Sequence, residues 1–148
     1  MSTLKTILIT GCSSGIGYDT AHYLNKNGYR VFASARKEED VQRLKDEGLN
    51  AYLLDVTKPE TISQTLSEVL AQTDGKLYAV FNNAGYGQPG AVEDIPTDVL
   101  REQFETNLFG LHEMTRQVLP IMRAQGYGRI MQHSSVLGLI SLRFRGAY

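Results

Sequence analysis

Thr10-Gly11-Cys12-Ser13-Ser14-Gly15-Ile16-Gly17 follows directly on the apolar run Ile7-Leu8-Ile9 and runs straight into a segment of helical period. Lys5 to Thr10 reads as a buried strand, and Gly15 to Asn27 as a helix with Ile16, Thr20, Ala21 and Leu24 on one face. A glycine-rich turn at such a junction lets the backbone approach a ligand closely, and the helix start offers free N–H groups to an anion. The spacing is GxxxGxG, without the Lys-Ser/Thr pair of a loop that holds a nucleoside triphosphate. The expected ligand is therefore a dinucleotide, with its pyrophosphate at Gly11, Ser13, Ser14, Gly15, Ile16 and Gly17.

Outward from this turn, strand-like and helix-like segments alternate. Gly28 stops the first helix, and Arg30 to Ala35 reads as a second strand. Lys37 to Glu47 is a charged helix closed by Gly48, and Ala51 to Leu54 a third strand. Ile62, Leu66, Val69 and Leu70 mark a helix before a fourth strand at Leu77 to Phe81. Phe104, Leu108, Leu111, Thr115, Val118 and Met122 form one long apolar stripe, and Arg129 to His133 a fifth strand. Pro59, Pro96 and Pro120 stand where helices begin or bend. Continuous apolar strands between helices mean an α/β fold, a Rossmann-type doubly wound parallel sheet with helices on both faces. In the order 3-2-1-4-5-6, five strands are present and the sixth is missing.

The composition supports one globular domain over residues 1–148, with 42% apolar and 21% charged residues. Fifteen Lys and Arg balance sixteen Asp and Glu, so no basic excess points to nucleic acid. No apolar run reaches the roughly eighteen residues of a membrane span, and a soluble cytoplasmic protein is expected. The single cysteine, Cys12, excludes an intrachain disulfide and a multi-cysteine metal site. It reads as a small residue packed beside the loop, although a helix N-terminus lowers a thiol pKa. His22, His112 and His133 have no metal-ligand spacing and read as structural or surface residues.

The end of the second strand bears on the cofactor. An NAD site usually carries an acid there for the ribose 2′-hydroxyl. This chain has Ala33-Ser34-Ala35-Arg36-Lys37. A guanidinium matches a 2′-phosphate through paired hydrogen bonds, which points to NADP(H) at Arg36. The plainer reading is two solvated cations at a helix start.

With these segments in place, the sequence resembles the short-chain dehydrogenase/reductase family across essentially its whole length. The resemblance is carried by the glycine loop, Asp55-Val56, Asn82-Asn83-Ala84-Gly85, Asn107, Ser134-Ser135 and Tyr148. Ser135 and Tyr148 stand thirteen residues apart, as that family has them. The Cys-Ser-Ser loop and the Ala35-Arg36 pair look most like the branch of 17β-hydroxysteroid dehydrogenase-like enzymes and NADPH-dependent aldehyde reductases.

The resemblance implies roles. Asp55 and Val56 would hold the adenine, and Asn83, Ala84 and Gly85 the adenosine ribose. Ser135 would hold the substrate carbonyl oxygen, Tyr148 would exchange its proton, and Asn107 would hold a relay water. Alone, Asn107 also reads as a helix interruption and the serines as turn residues. The implied activity is NADP(H)-dependent interconversion of a hydrophobic aldehyde or ketone and its alcohol. Val136, Leu137, Leu139, Ile140 and Leu142 near Ser135 suggest the apolar substrate, or equally packing. A homo-oligomer is implied for the complete enzyme.

The family motif is Tyr-x-x-x-Lys, and the sequence stops at its tyrosine. The expectation is that residues 1–148 are the N-terminal part of a longer single-domain reductase and are inactive alone. A non-catalytic NADP-binding or interaction module is the alternative.

Overall fold

A computed structural model of the protein describes residues 5–148. Five strands form one parallel sheet: β1 (Thr6–Ile9), β2 (Arg30–Ala35), β3 (Asn50–Leu53), β4 (Ala79–Asn82) and β5 (Arg129–Gln132). Their order is β3-β2-β1-β4-β5, as the alternation of strands and helices led us to expect. In register, Leu8 of β1 lies between Phe32 of β2 and Val80 of β4.

Successive residues of β1 and β2 enter opposite cores, because side chains alternate across a sheet. Ile7, Ile9, Val31 and Ala33 pack with Ala21, Val41 and Leu44, from α1 (Gly15–Lys26) and α2 (Glu38–Asp46). Leu8 and Phe32 pack on the other face, with Ile62, Leu66 and Val69 of α3 (Pro59–Ala71). Met114, Val118 and Met122 complete that second core. Both faces of the central strands are thereby covered, and each large side chain fully buried here stabilises the fold by about 1.5–3 kcal/mol.

Element limits fall within a few residues of those expected, and three side-chain placements differ. Ile16 is 57% exposed, while Gly17 and Ala21 bear the buried face of α1. Leu77 is fully buried but precedes β4, its backbone held by the Gln125 carboxamide.

The third difference matters most for the site. The long stripe is not one continuous α-helix: α4 (Thr97–Phe104) passes into a π-helical segment, Glu105–Gly110, and then into α5 (Leu111–Gln125). The wider turn changes which residues face inward. Thr106, Gly110 and Met114 are buried, and Phe104 and Leu108 are turned outward. Gly110 is needed where it lies, since a Cβ there would meet Val56 Cγ2 at 2.7 Å.

Candidate active site

The glycine loop is tied to the loop after β4 by Thr10 and Asn83. Thr10 Oγ1 accepts from the backbone N–H groups of Asn83 and Ala84, at 3.1 and 3.0 Å. Asn83 Nδ2 donates to the carbonyls of Thr10 and Gly11, both at 3.0 Å. Gly11 has φ +70°, and a Cβ there would lie 2.8 Å from Ala84 Cα. Gly17 passes against Gly11 and Asn83, where no side chain fits. The first and third glycines are therefore fixed by how closely the two loops approach.

The loop ends at α1, and Ser14, the capping residue just before its first turn, makes no side-chain capping bond. The leading N–H groups of a helix have no partner within it and carry its positive dipole end. A cleft of about 420 Å³ opens beside them. Of the expected cofactor residues, Gly11, Ser13, Ser14, Ile16, Arg36, Val56, Asn83, Ala84 and Gly85 line it. Gly15 and Gly17 do not, and neither does Asp55. The Asp55 carboxylate is turned to the chain instead: Oδ1 accepts from Thr57 N at 3.0 Å and from Thr57 Oγ1 at 2.7 Å. Leu54, before it in sequence, takes a place in the wall beside Val56.

The electrostatics of the cleft turn on three side chains. Asp40 also lines the cleft, and its Oδ1 pairs with Arg43 Nη2 at 3.0 Å. Arg43 Nη2 further donates to the Ser13 carbonyl at 2.6 Å, and the pairing with Asp40 raises the guanidinium pKa further. Among the described residues, Arg36 makes no hydrogen bond or ion pair, so its guanidinium is open to a ligand. These features fit a phosphate-bearing dinucleotide: free N–H groups, side-chain-free approach at Gly11, and one uncommitted guanidinium.

A second cavity of about 420 Å³ adjoins the first and shares Asn83, Ala84, Gly85, Tyr86 and His133 with it. Asn107, Ser135 and Tyr148, distant in sequence, all line this cavity. Ser135 Oγ accepts from Leu137 N at 3.1 Å, opening a short 3-10 turn at Val136–Gly138. That leaves the serine hydroxyl hydrogen free to donate elsewhere. Tyr148 is 45% exposed, and its ring lies over Gly87, where a Cβ would be 3.4 Å from Cγ and Cδ2. The apolar wall is Phe104, Leu108 and Leu111. This replaces the expected Val136, Leu137, Leu139, Ile140 and Leu142, none of which lines the cavity.

His133, which reads in the sequence as a structural or surface residue, lines both cavities. It follows β5, with Nδ1 2.9 Å from Asn83 Oδ1 and its ring centroid 5.9 Å from that of Phe81. Its position directly before Ser134-Ser135 at a strand end was the available signal. His22 also has a partner, Glu47 Oε2 at 2.9 Å, which ties α1 to the end of α2. Cys12 is fully buried, and burial pushes its thiol up to about 12, contrary to a helix-lowered value. Among the described residues, no cluster of His, Cys, Asp or Glu could hold a metal, and no helix is long and apolar enough to cross a membrane.

Comparison with known proteins agrees with this geometry. Residues 5–148 match the short chain dehydrogenase family. The chain is 46% identical over 144 residues to the uncharacterized oxidoreductase YbbO of Escherichia coli (strain K12), covering 97% of this chain and 54% of that protein. It is 36% identical over 151 residues to estradiol 17-beta-dehydrogenase 2 of Mus musculus, covering 97% and 39%. The solved structure of a variant of actinorhodin polyketide ketoreductase with NADPH matches with a TM-score of 0.88 and 32% identity, covering 98% of this chain and 58% of that one. The chain thus spans about half the length of the curated relatives it matches. A match running from β1 to Tyr148, on a five-stranded parallel sheet with the glycine loop at its first crossover, makes this chain a member of the short-chain dehydrogenase family, whose proteins are oxidoreductases.

Proposed function

We propose that the complete protein is an NADP(H)-dependent oxidoreductase that interconverts a hydrophobic aldehyde or ketone and its alcohol. The observation that carries this reading is the meeting of Asn107, Ser135 and Tyr148 in one cavity that adjoins the glycine-loop cleft and shares Asn83, Ala84, Gly85, Tyr86 and His133 with it. NADP(H) over NAD(H) is supported by the uncommitted Arg36 and by Asp40 being neutralised through Arg43. It is also supported by the NADPH in the matching ketoreductase structure. Phe104, Leu108 and Leu111 in the wall favour an apolar substrate, and the mouse estradiol dehydrogenase supports the steroid-dehydrogenase-like branch. The reading includes a cytoplasmic location and a homo-oligomer for the complete enzyme.

A nicotinamide held in the cleft would supply the hydride for the carbonyl carbon. Everything else falls to the chain. Ser135 donates its free hydroxyl hydrogen to the carbonyl oxygen and fixes the substrate's orientation. Tyr148 gives that same oxygen a proton as negative charge develops on it, so that an alcohol leaves and a phenolate remains. Asn107 stands in the same cavity as a holder of the water that reprotonates the phenolate. Arg36 would hold the 2′-phosphate, and the α1 N-terminus the pyrophosphate. Phe104 and Leu108 exclude water from one side of the substrate.

The test is a panel of apolar and polar aldehydes and ketones offered to the full-length protein with NADPH or NADH. Loss of the reduced cofactor's near-ultraviolet absorbance reports turnover. Reduction of apolar carbonyls with NADPH preferred is the expected result. Tight NADPH binding with no turnover across the panel would defeat the enzymatic reading and leave a cofactor-binding module.

A further inference from the structure

Gln103 is a polar side chain in a position that packing alone would give to an apolar one. It lies on α4, two residues before the π-helical segment begins at Glu105, and is only 2% exposed. A carboxamide this deeply buried needs partners for both its donor and its acceptor. Oε1 accepts from the Gln88 N–H at 2.6 Å, and Nε2 donates to the Ala147 carbonyl. One side chain therefore joins α4, the loop after β4 and the residue immediately before Tyr148.

Other links bind the same segments. Arg145 Nη1 donates to the Gly87 carbonyl at 3.2 Å, and the Gly90 N–H donates to the Phe144 carbonyl at 3.0 Å. Gly87, the floor beneath the Tyr148 ring, lies between Tyr86, held by Asn107, and Gln88, held by Gln103. Among the described residues the Tyr148 hydroxyl makes no hydrogen bond. The ring's place is therefore set from its backbone and from the floor, and Gln103 touches both.

We propose that Gln103 is a positioning residue for Tyr148, holding the tyrosine backbone and the loop beneath its ring in one fixed relation. This rests on the reading of Tyr148 as proton donor. Gln125 offers the contrast. Its carboxamide holds Leu77 N–H at 3.1 Å and Leu77 C=O at 2.7 Å, a similar clamp within the scaffold, away from the cavity. One clamp serves the site and the other only the fold.

The test compares full-length wild type with Gln103→Met, Gln103→Glu and, as control, Gln125→Met. Steady-state kinetics on the best-reduced aldehyde are followed across pH, with NADPH affinity by fluorescence and stability by thermal melting. Misplacing a reacting group by a fraction of an ångström to an ångström costs roughly ten- to a hundredfold in rate. Both Gln103 variants are expected to lose kcat by that order and to keep NADPH affinity within about twofold. Gln103→Glu, which sets a carboxylate in the tyrosine's cavity, should also move the alkaline limb of kcat upward in pH. Gln125→Met should melt earlier with kcat and its pH profile unchanged. Gln103→Glu keeps the acceptor for Gln88 and carries the test should Gln103→Met fail to fold. Wild-type kcat and pH profile in the Gln103 variants, with only a lowered melting point, would overturn the proposal. A wild type that binds NADPH yet reduces nothing would overturn the functional reading first, and this inference with it.

Discussion

The carboxamide of Asn107 closes on the backbone of Tyr86 at two points. Oδ1 accepts from the Tyr86 N–H at 3.0 Å, and Nδ2 donates to the Tyr86 carbonyl at 2.6 Å. The pairing holds the π-helical segment to the loop after β4, so Asn107 is a brace before it is anything else. A carboxamide has two donor hydrogens and two acceptor lone pairs, so one of each remains for a water in the cavity. Bracing and water-holding are compatible in the same side chain.

Asn107→Leu should separate the two effects by size. The Tyr86 backbone lies at an exposed position where water can replace the lost bonds, so the loss of stability should be small, about 1 kcal/mol. The loop that floors Tyr148 would no longer be fixed, and kcat should fall roughly ten- to a hundredfold. Thermal melts beside steady-state kinetics would show it. A variant that unfolds readily but turns over normally when folded would contradict this account.

Arg36 is expected to decide between the two nicotinamide cofactors. Its guanidinium lines the cleft without a protein partner, and the nearest acidic competitor in that wall, Asp40, is occupied by Arg43. Arg36→Asp replaces a bidentate donor with a like charge facing the 2′-phosphate. A change of that kind should raise the NADPH dissociation constant by about a hundredfold or more while leaving NADH binding equal or better. Fluorescence titration with both cofactors measures it. Equal losses for the two would remove the role from Arg36.

Arg43 acts on the same cleft from behind. It holds the Ser13 carbonyl outward at 2.6 Å. In a planar trans peptide the Ser14 N–H then points the opposite way. Arg43→Met should free that peptide to turn and release the Asp40 charge into the cleft, weakening NADPH binding by roughly tenfold. Because two effects contribute, the double variant Asp40→Asn/Arg43→Met should recover part of the affinity. No recovery would mean that peptide orientation is the whole effect.

The fold was legible because β1 and β2 are buried on both faces, so their apolar runs stand out against charged helices such as Glu38–Asp46. The glycine loop was legible because close approach leaves no room for side chains at Gly11 and Gly17. The stripe from Phe104 to Met122 misled because period-counting assumes one helical pitch, and a π turn at Glu105–Gly110 breaks the pitch without a Gly or Pro signal at its start. Gln103 and His133 were hidden for another reason. Their importance lies in partners 44 and 50 residues away, which no local pattern encodes.

Cys12 supplies the last prediction, since its setting contradicts the reactivity its place near a helix N-terminus suggests. Its side chain is fully buried, Sγ donates to the Ile9 carbonyl at 3.3 Å, and burial pushes the thiol from 9.0 to about 12. The thiolate is the nucleophile, so the folded protein should resist iodoacetamide near neutral pH and be labelled only once unfolded, as mass spectrometry would show. The same shift has a thermodynamic sign. The folded state keeps a proton that the unfolded thiol releases, so this contribution to stability is complete below pH 9.0 and is lost as pH rises toward about 12. Urea melts across that window should show stability falling with pH in the wild type, and falling less steeply in Cys12→Ala. Rapid labelling of the native protein, or identical slopes for the two, would show the thiol to be accessible and its burial to carry no such linkage.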